Sequence, residues 1–140
     1  MSRGKAMSKA TPENFELLVS EYYHRYKNAL NLAGSAFNNE GYITTATMLA
    51  PSGRVEMRCG PSEYNAEIFI YTADGKRWSL ADLIGIDRVR TWLQENRPST
   101  SDRSRLDAEV DCAFGLLIEG LKGVDGFEWL HASVYEVRNL

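Results

Sequence analysis

The stretch YTADGKRWSLADLIGIDRVRTWL, Tyr71–Leu93, decides how the chain is read, because a strand, a turn and a helix start meet in it. Asp74-Gly75 lies between two β-prone runs, which is a hairpin signal. Arg77–Leu80 is then a short fourth strand or an extended stub. Ser79 precedes a helical pattern and has Asp82 three residues on, the spacing of a capping box, although Asp reaches less far than Glu. Gly85 ends that turn, and a second helix restarts at Ile86 with Asp87 near its positive end, closing before Pro98. Trp78, Leu80, Leu83, Ile84, Ile86, Val89, Trp92 and Leu93 are the positions this reading aims at a core.

Outward from this segment, three β-prone runs precede it. Residues 42–49 are rich in β-branched side chains, and Pro51–Gly53 turns the chain. Residues 54–60 alternate cleanly. Val55, Met57 and Cys59 take one face, and Arg54, Glu56 and Arg58 the other, so this strand has one wet side. A turn at 60–63 leads to the most apolar run, 64–72, which is expected at the sheet centre. Before the strands, Thr11, Pro12 and Glu13 form a helix start. Apolar residues at helical spacing from Phe15 to Ala33 predict a helix from 12 to the mid 30s, stopped by the Asn-Asn-Glu-Gly at 38–41. After the opening segment, Leu106, Val110, Ala113, Phe114, Leu117, Ile118 and Leu121 mark a last long helix capped by Ser99 or Ser101 and ended by Gly123. Its opposite face carries Asp107, Glu109, Asp111 and Glu119. The closing stretch DGFEWLHASVYEVRNL, 125–140, reads as a short helical turn and a tail, with an extended piece at 133–137.

These elements give an α+β domain. Its order is α-β-β-β(-β)-α-α, with a three- to four-stranded antiparallel sheet and helices packed on one face. The length of 140 residues suits a single domain over 11–140. Residues 1–10 read as a flexible basic leader, since Arg3, Lys5 and Lys9 are unopposed by any acid. They are not followed by an apolar run, so a secretory signal is not expected. No run approaches the ~20 apolar residues that cross a bilayer, and the expected location is cytoplasmic.

The chain has 16 basic and 19 acidic residues, a formal charge of −3. Without the three leader cations the folded part is more acidic still. That balance disfavours nucleic acid as a direct partner, because affinity for phosphates comes chiefly from Lys and Arg, and it is compatible with a basic protein partner. Cys59 and Cys112 lack a C-x-x-C and are expected to be structural thiols. His24 sits among Tyr22, Tyr23 and Tyr26 without a nucleophile motif to serve. His24, His131 and the two cysteines lack metal-ligand spacing. Glu63 and Glu67 flank Tyr64, and a solvated strand face is the simpler account of them than acid–base chemistry. No phosphate-binding glycine loop occurs. The short basic patches at 88–90 and 103–105 are balanced by Asp87, Asp102 and Asp107. Trp78, Trp92 and Trp129 are read as core. No catalytic, cofactor or metal residues are therefore expected, and binding another protein is the favoured role.

Val55–Leu93, followed by LDAEVDCAFGLLIEGL at 106–121, resembles the small immunity proteins of bacterial polymorphic toxin systems, including those of contact-dependent growth inhibition. The resemblance implies a protein that binds one cognate toxin domain and neutralises it by contact, with no catalytic residues of its own. Many such toxins are nucleases with basic clefts. Acidic side chains would then meet the toxin, and the candidates are Asp107, Asp111 and Glu119 on the last helix with Glu56, Glu63 and Glu67 on the sheet side. Two other readings stand beside it. An acidic secretion chaperone or adaptor would be a homodimer with a nonpolar groove for an extended peptide. A small enzyme with a dispersed site ranks third.

Overall fold

A computed structural model describes residues 12–41, 43–59, 67–96 and 105–131. The leader, the Thr11 cap, Ser99 and Ser101, Pro98 and the extended piece at 133–137 lie outside them. Helix α1, Pro12–Tyr26, opens the fold. Its turns continue through Leu30, whose N–H bonds to the Tyr26 carbonyl at 3.0 Å. There Asn31 enters the left-handed region at φ 58°. The Leu32 N–H reaches back to the Lys27 carbonyl at 2.8 Å and the Asn31 N–H to that of Asn28 at 3.4 Å. This pair is the Schellman arrangement that ends helices, with Asn in the place usually taken by Gly.

The helix therefore stops short of the mid 30s, and the sheet gains a strand that the sequence reading had placed in the helix and its stop signal. Strand β1 is Ser35–Glu40, and Gly41 at φ 60° belongs to the turn that follows it. Helical spacing misled because Ala29 and Ala33, counted on the apolar stripe, are exposed, whereas Leu30 and Leu32 are buried. The elbow after α1 is fixed from two sides: the Gly34 N–H donates to the Tyr23 hydroxyl at 2.6 Å, and the Asn31 side-chain amide donates to the Trp129 carbonyl at 2.8 Å.

Strands β2 (Ile43–Ala50), β3 (Gly53–Cys59), β4 (Glu67–Thr72) and β5 (Arg77–Ser79) follow. The sheet is an antiparallel meander in the order β1-β2-β3-β4-β5, so it has five strands rather than three or four. The middle strand is β3, not the more apolar β4, because the added β1 shifts the centre by one. In register, Val55 lies between Met48 and Ile70, and Met57 between Ala46 and Ile68. These residues and Cys59 are buried on one face. The hairpin and the capping box form as read. Gly75 takes φ 85°, and Asp74 accepts from the Thr72 hydroxyl and, at 3.3 Å, from the Lys76 N–H. Asp82 N–H donates to Ser79 Oγ at 3.1 Å while Ser79 N–H donates to Asp82 Oδ2 at 2.9 Å. Asp thus closes the reciprocal pair despite its shorter reach.

Helices α2 (Leu80–Ile84), α3 (Ile86–Asn96) and α4 (Arg105–Gly120), with a 3-10 turn at Glu128–Leu130, complete the order. Helix α4 is the hub. Leu106, Val110, Phe114, Leu117 and Leu121 are at most 1% exposed, and the Phe114 ring lies 6.0 Å from both Tyr22 and Tyr26 of α1. On another side Gly115 admits α3, since a Cβ there would stand 2.9 Å from the Trp92 ring. Two expectations fail here, the first because α4 is walled on several sides and the second because the first turn of α3, 86–88, is exposed. Glu109, placed on its polar face, is 7% exposed, and Ile86, aimed at the core, is 50% exposed. Cys59 and Cys112 are buried and not joined in a disulfide. Among the described residues no helix is long and apolar enough to cross a membrane.

Truncating Phe114 to Ala is expected to cost about 3–5 kcal/mol, the price of a large ring removed from a closed core. Urea unfolding of the variant should show the midpoint shift. A midpoint unchanged within error would remove Phe114 from the hub.

Candidate binding surface

The second face of the sheet is built from the residues that alternate with the core set. Each row across it is fixed by register. Leu49, Arg54, Tyr71 and Arg77 form one row, and Thr47, Glu56, Phe69 and Ser79 form the next. Thr45, Arg58 and Glu67 form the third. The centre of this face is an ion ladder along β3. Arg54 Nε donates to Glu56 Oε2 at 3.0 Å, and an Arg58 terminal nitrogen donates to Glu56 Oε1 at 3.0 Å. The spacing of two residues places all three side chains on one side of a strand.

The guanidinium groups also lie on rings of β4. Arg54 is 3.9 Å from the Tyr71 ring centre, and Arg58 and Arg77 are each 4.8 Å from that of Phe69. Arg58 further donates to the Tyr71 hydroxyl at 3.2 Å. Cationic planes on aromatic faces gain roughly 0.5–1 kcal/mol each at exposed sites, and here they also hold the arginines in place. Burial pushes the Glu56 carboxyl up, but the hydrogen bonds and charges of Arg54 and Arg58 outweigh it and hold the group below the usual range for a glutamate. The Glu56 side chain is 12% exposed, against 43% for Arg54 and 32% for Arg58. Beside this ladder, Ile43 and Leu49 of β2 are 50% and 52% exposed. The face thus combines apolar side chains, braced arginines and a covered carboxylate.

The structure divides the six sequence-derived candidates. Glu56 and Glu67 lie on this open face, the first compensated by two arginines and the second exposed. Glu63 lies outside the described residues. Asp107, Asp111 and Glu119 lie on α4, which packs against the other side of the sheet. Asp107 accepts a hydrogen bond from the Tyr22 hydroxyl, and Asp111 acts on Arg25, whose guanidinium lies 4.7 Å over the Tyr22 ring. Both therefore belong to the α1–α4 seam, whereas Glu119 is exposed. A single flat partner surface cannot touch both groups. Sequence reasoning passed over Arg54, Arg58, Arg77, Phe69 and Tyr71. The available signal was Arg-x-Glu-x-Arg on the wet side of an alternating strand, paired with a strand bearing two aromatics on the matching face.

His24 is exposed, with Tyr23 edge-on at 5.4 Å. His131 is 6% exposed, and burial pushes its pKa down, helped by Lys122. A cleft of 440 Å³ opens between β4, α3 and α4. Ile68, Leu80, Val89, Leu93, Ala113 and Leu116 line it, with Glu109 and Cys112. Among the described residues, no three His, Cys, Asp or Glu side chains gather as a metal site would require.

The ladder makes a pH-dependent contribution whose sign is fixed. A carboxyl held below its ordinary value of 4.5 stabilises the fold above that pH and loses this contribution as pH falls through its folded value. Glu56→Gln is expected to cost about 1–3 kcal/mol at pH 7 and markedly less at pH 3.5. Urea unfolding of both proteins at the two pH values measures this, and equal differences at both would contradict the ladder.

Neither a protein-family model, nor a curated protein, nor a solved structure matches the chain, so the functional reading is carried by the geometry of this surface.

Proposed function

We propose that this chain is an immunity protein, which binds a cognate toxin domain in the cytoplasm of the producing cell and neutralises it by covering a surface the toxin needs. The observation that carries the reading is the open sheet face, where exposed Leu49 lies opposite Arg54, one of the arginines already stacked on rings, and exposed Ile43 stands at the other end of the same strand. Interfaces draw most of their binding energy from a few buried aromatic and arginine anchors. Arginines braced before contact lose less side-chain freedom on binding than free ones do.

The test uses the product of the neighbouring gene as the toxin. Expressed alone in a bacterial host it should arrest growth, and co-expression of this chain should restore growth, the two proteins co-eluting as a complex. Leu49→Asp, which alters an exposed side chain of the contact face, should reduce rescue while leaving the unfolding midpoint within error. Failure of the wild-type chain to rescue against either neighbouring product would overturn the proposal.

One observation favours a second reading, an adaptor for an extended peptide. The apolar cleft runs beside Glu67 and Ile68, where β4 extends past the three residues of β5. A strand edge next to an apolar trough is the arrangement that accepts an added strand.

A further inference from the structure

We infer that the open sheet face reads carboxylates, so that its protein partner presents acidic side chains interleaved with apolar ones. The inference deepens the proposed contact surface and rests on it. On the β3–β5 part of this face three arginines, Arg54, Arg58 and Arg77, stand against two glutamates, Glu56 and Glu67, while the third glutamate of the face, Glu40, lies at the far β1 edge opposite Ile43. One of those glutamates is covered by its bonds to Arg54 and Arg58. The chain as a whole is acidic, with 19 acidic and 16 basic residues. The excess of arginine is therefore confined to β3–β5, within a molecule that is acidic overall.

Geometry selects the kind of anion. Arginine has five N–H donors in a planar fork, and Arg54 spends only its Nε on Glu56. Its remaining forked donors suit the two oxygens of a carboxylate. In the same row, Leu49 lies next to Arg54, which places an apolar contact one strand spacing, about 4.8 Å, from a carboxylate contact. An acidic residue neighbouring a leucine or valine in the partner matches that pair. A nucleic acid strand fits less well. Proteins that hold single strands stack bases on aromatic faces, and here guanidinium groups already occupy faces of Phe69 and Tyr71.

The test titrates isotope-labelled protein with three probes: a blocked Leu-Glu-Leu-Glu-Leu-Glu peptide, its Lys counterpart and a thymidine octanucleotide. The acidic peptide should shift backbone amides of β2, β3 and β4, and weaken on raising salt to about 0.5 M. Arg77→Glu should weaken it by at least about tenfold; this residue makes no bond to Glu56, so the ladder and the fold stay intact. Arg58→Glu should weaken it as well, with the unfolding midpoint recorded alongside. The Lys peptide and the oligonucleotide should leave these amides unmoved. Absence of shifts with the acidic peptide, shifts confined to the helices, an affinity unchanged in Arg77→Glu, or equal binding of the oligonucleotide would each overturn the inference. The peptide experiment needs no toxin, so its failure is distinguishable from failure of growth rescue.

Discussion

Helix α4 is enclosed by α1, by the α2–α3 pair and by the sheet, and this enclosure organises the layer behind the sheet. Phe114 meets two tyrosines of α1, and the absence of a side chain at Gly115 lets Trp92 approach. A glycine inside a helix costs roughly 1 kcal/mol relative to alanine, and the closer packing of α3 offsets it. Because every helix docks through or beside α4, the helical layer sits wholly on one side of the meander. The other side is left to the alternate residues of the strands.

Those residues solve a problem set by position. Glu56 belongs to the central strand, where neighbours on both sides take water away from it. An ionised carboxylate there is costly unless paired and hydrogen-bonded. Two arginines of its own strand meet that need, and the rings of the next strand hold the arginines. The same arrangement that makes the carboxylate tolerable makes the arginines rigid. Stability of the sheet and readiness of its surface for a partner thus come from one set of contacts.

Much of the fold was legible in local pattern. Strict alternation in 54–59, the Asp-Gly hairpin, the Ser79–Asp82 cap and the stripe from Leu106 to Leu121 each encode their geometry within a few residues. What was not legible depends on contacts far along the chain. Apolar spacing from Ala29 to Ala33 continues the helix on paper, but Asn31 turns left-handed, with its side chain bound to the Trp129 carbonyl, and no local pattern announces that partner. The site was half legible for a similar reason. Glu56 and Glu67 could be named from strand alternation, but their balance of charge depends on which strand lies alongside. Asp107 and Asp111 looked like a solvent stripe until α1 was found beside them.

The contact between α1 and α4 also has a consequence in time. Tyr22 bonds to Asp107 across 85 residues of sequence, and closing so long a loop carries an entropic cost that local hairpins do not. The meander can pair neighbour by neighbour as it leaves the ribosome, but α1 has no α4 to bury its apolar stripe until synthesis has moved that far. At roughly 5–20 residues per second, that interval is on the order of 4–20 s. During it the first helix and the core face of the sheet hold each other only partially, and the strands gain their full support only once α4 has been made.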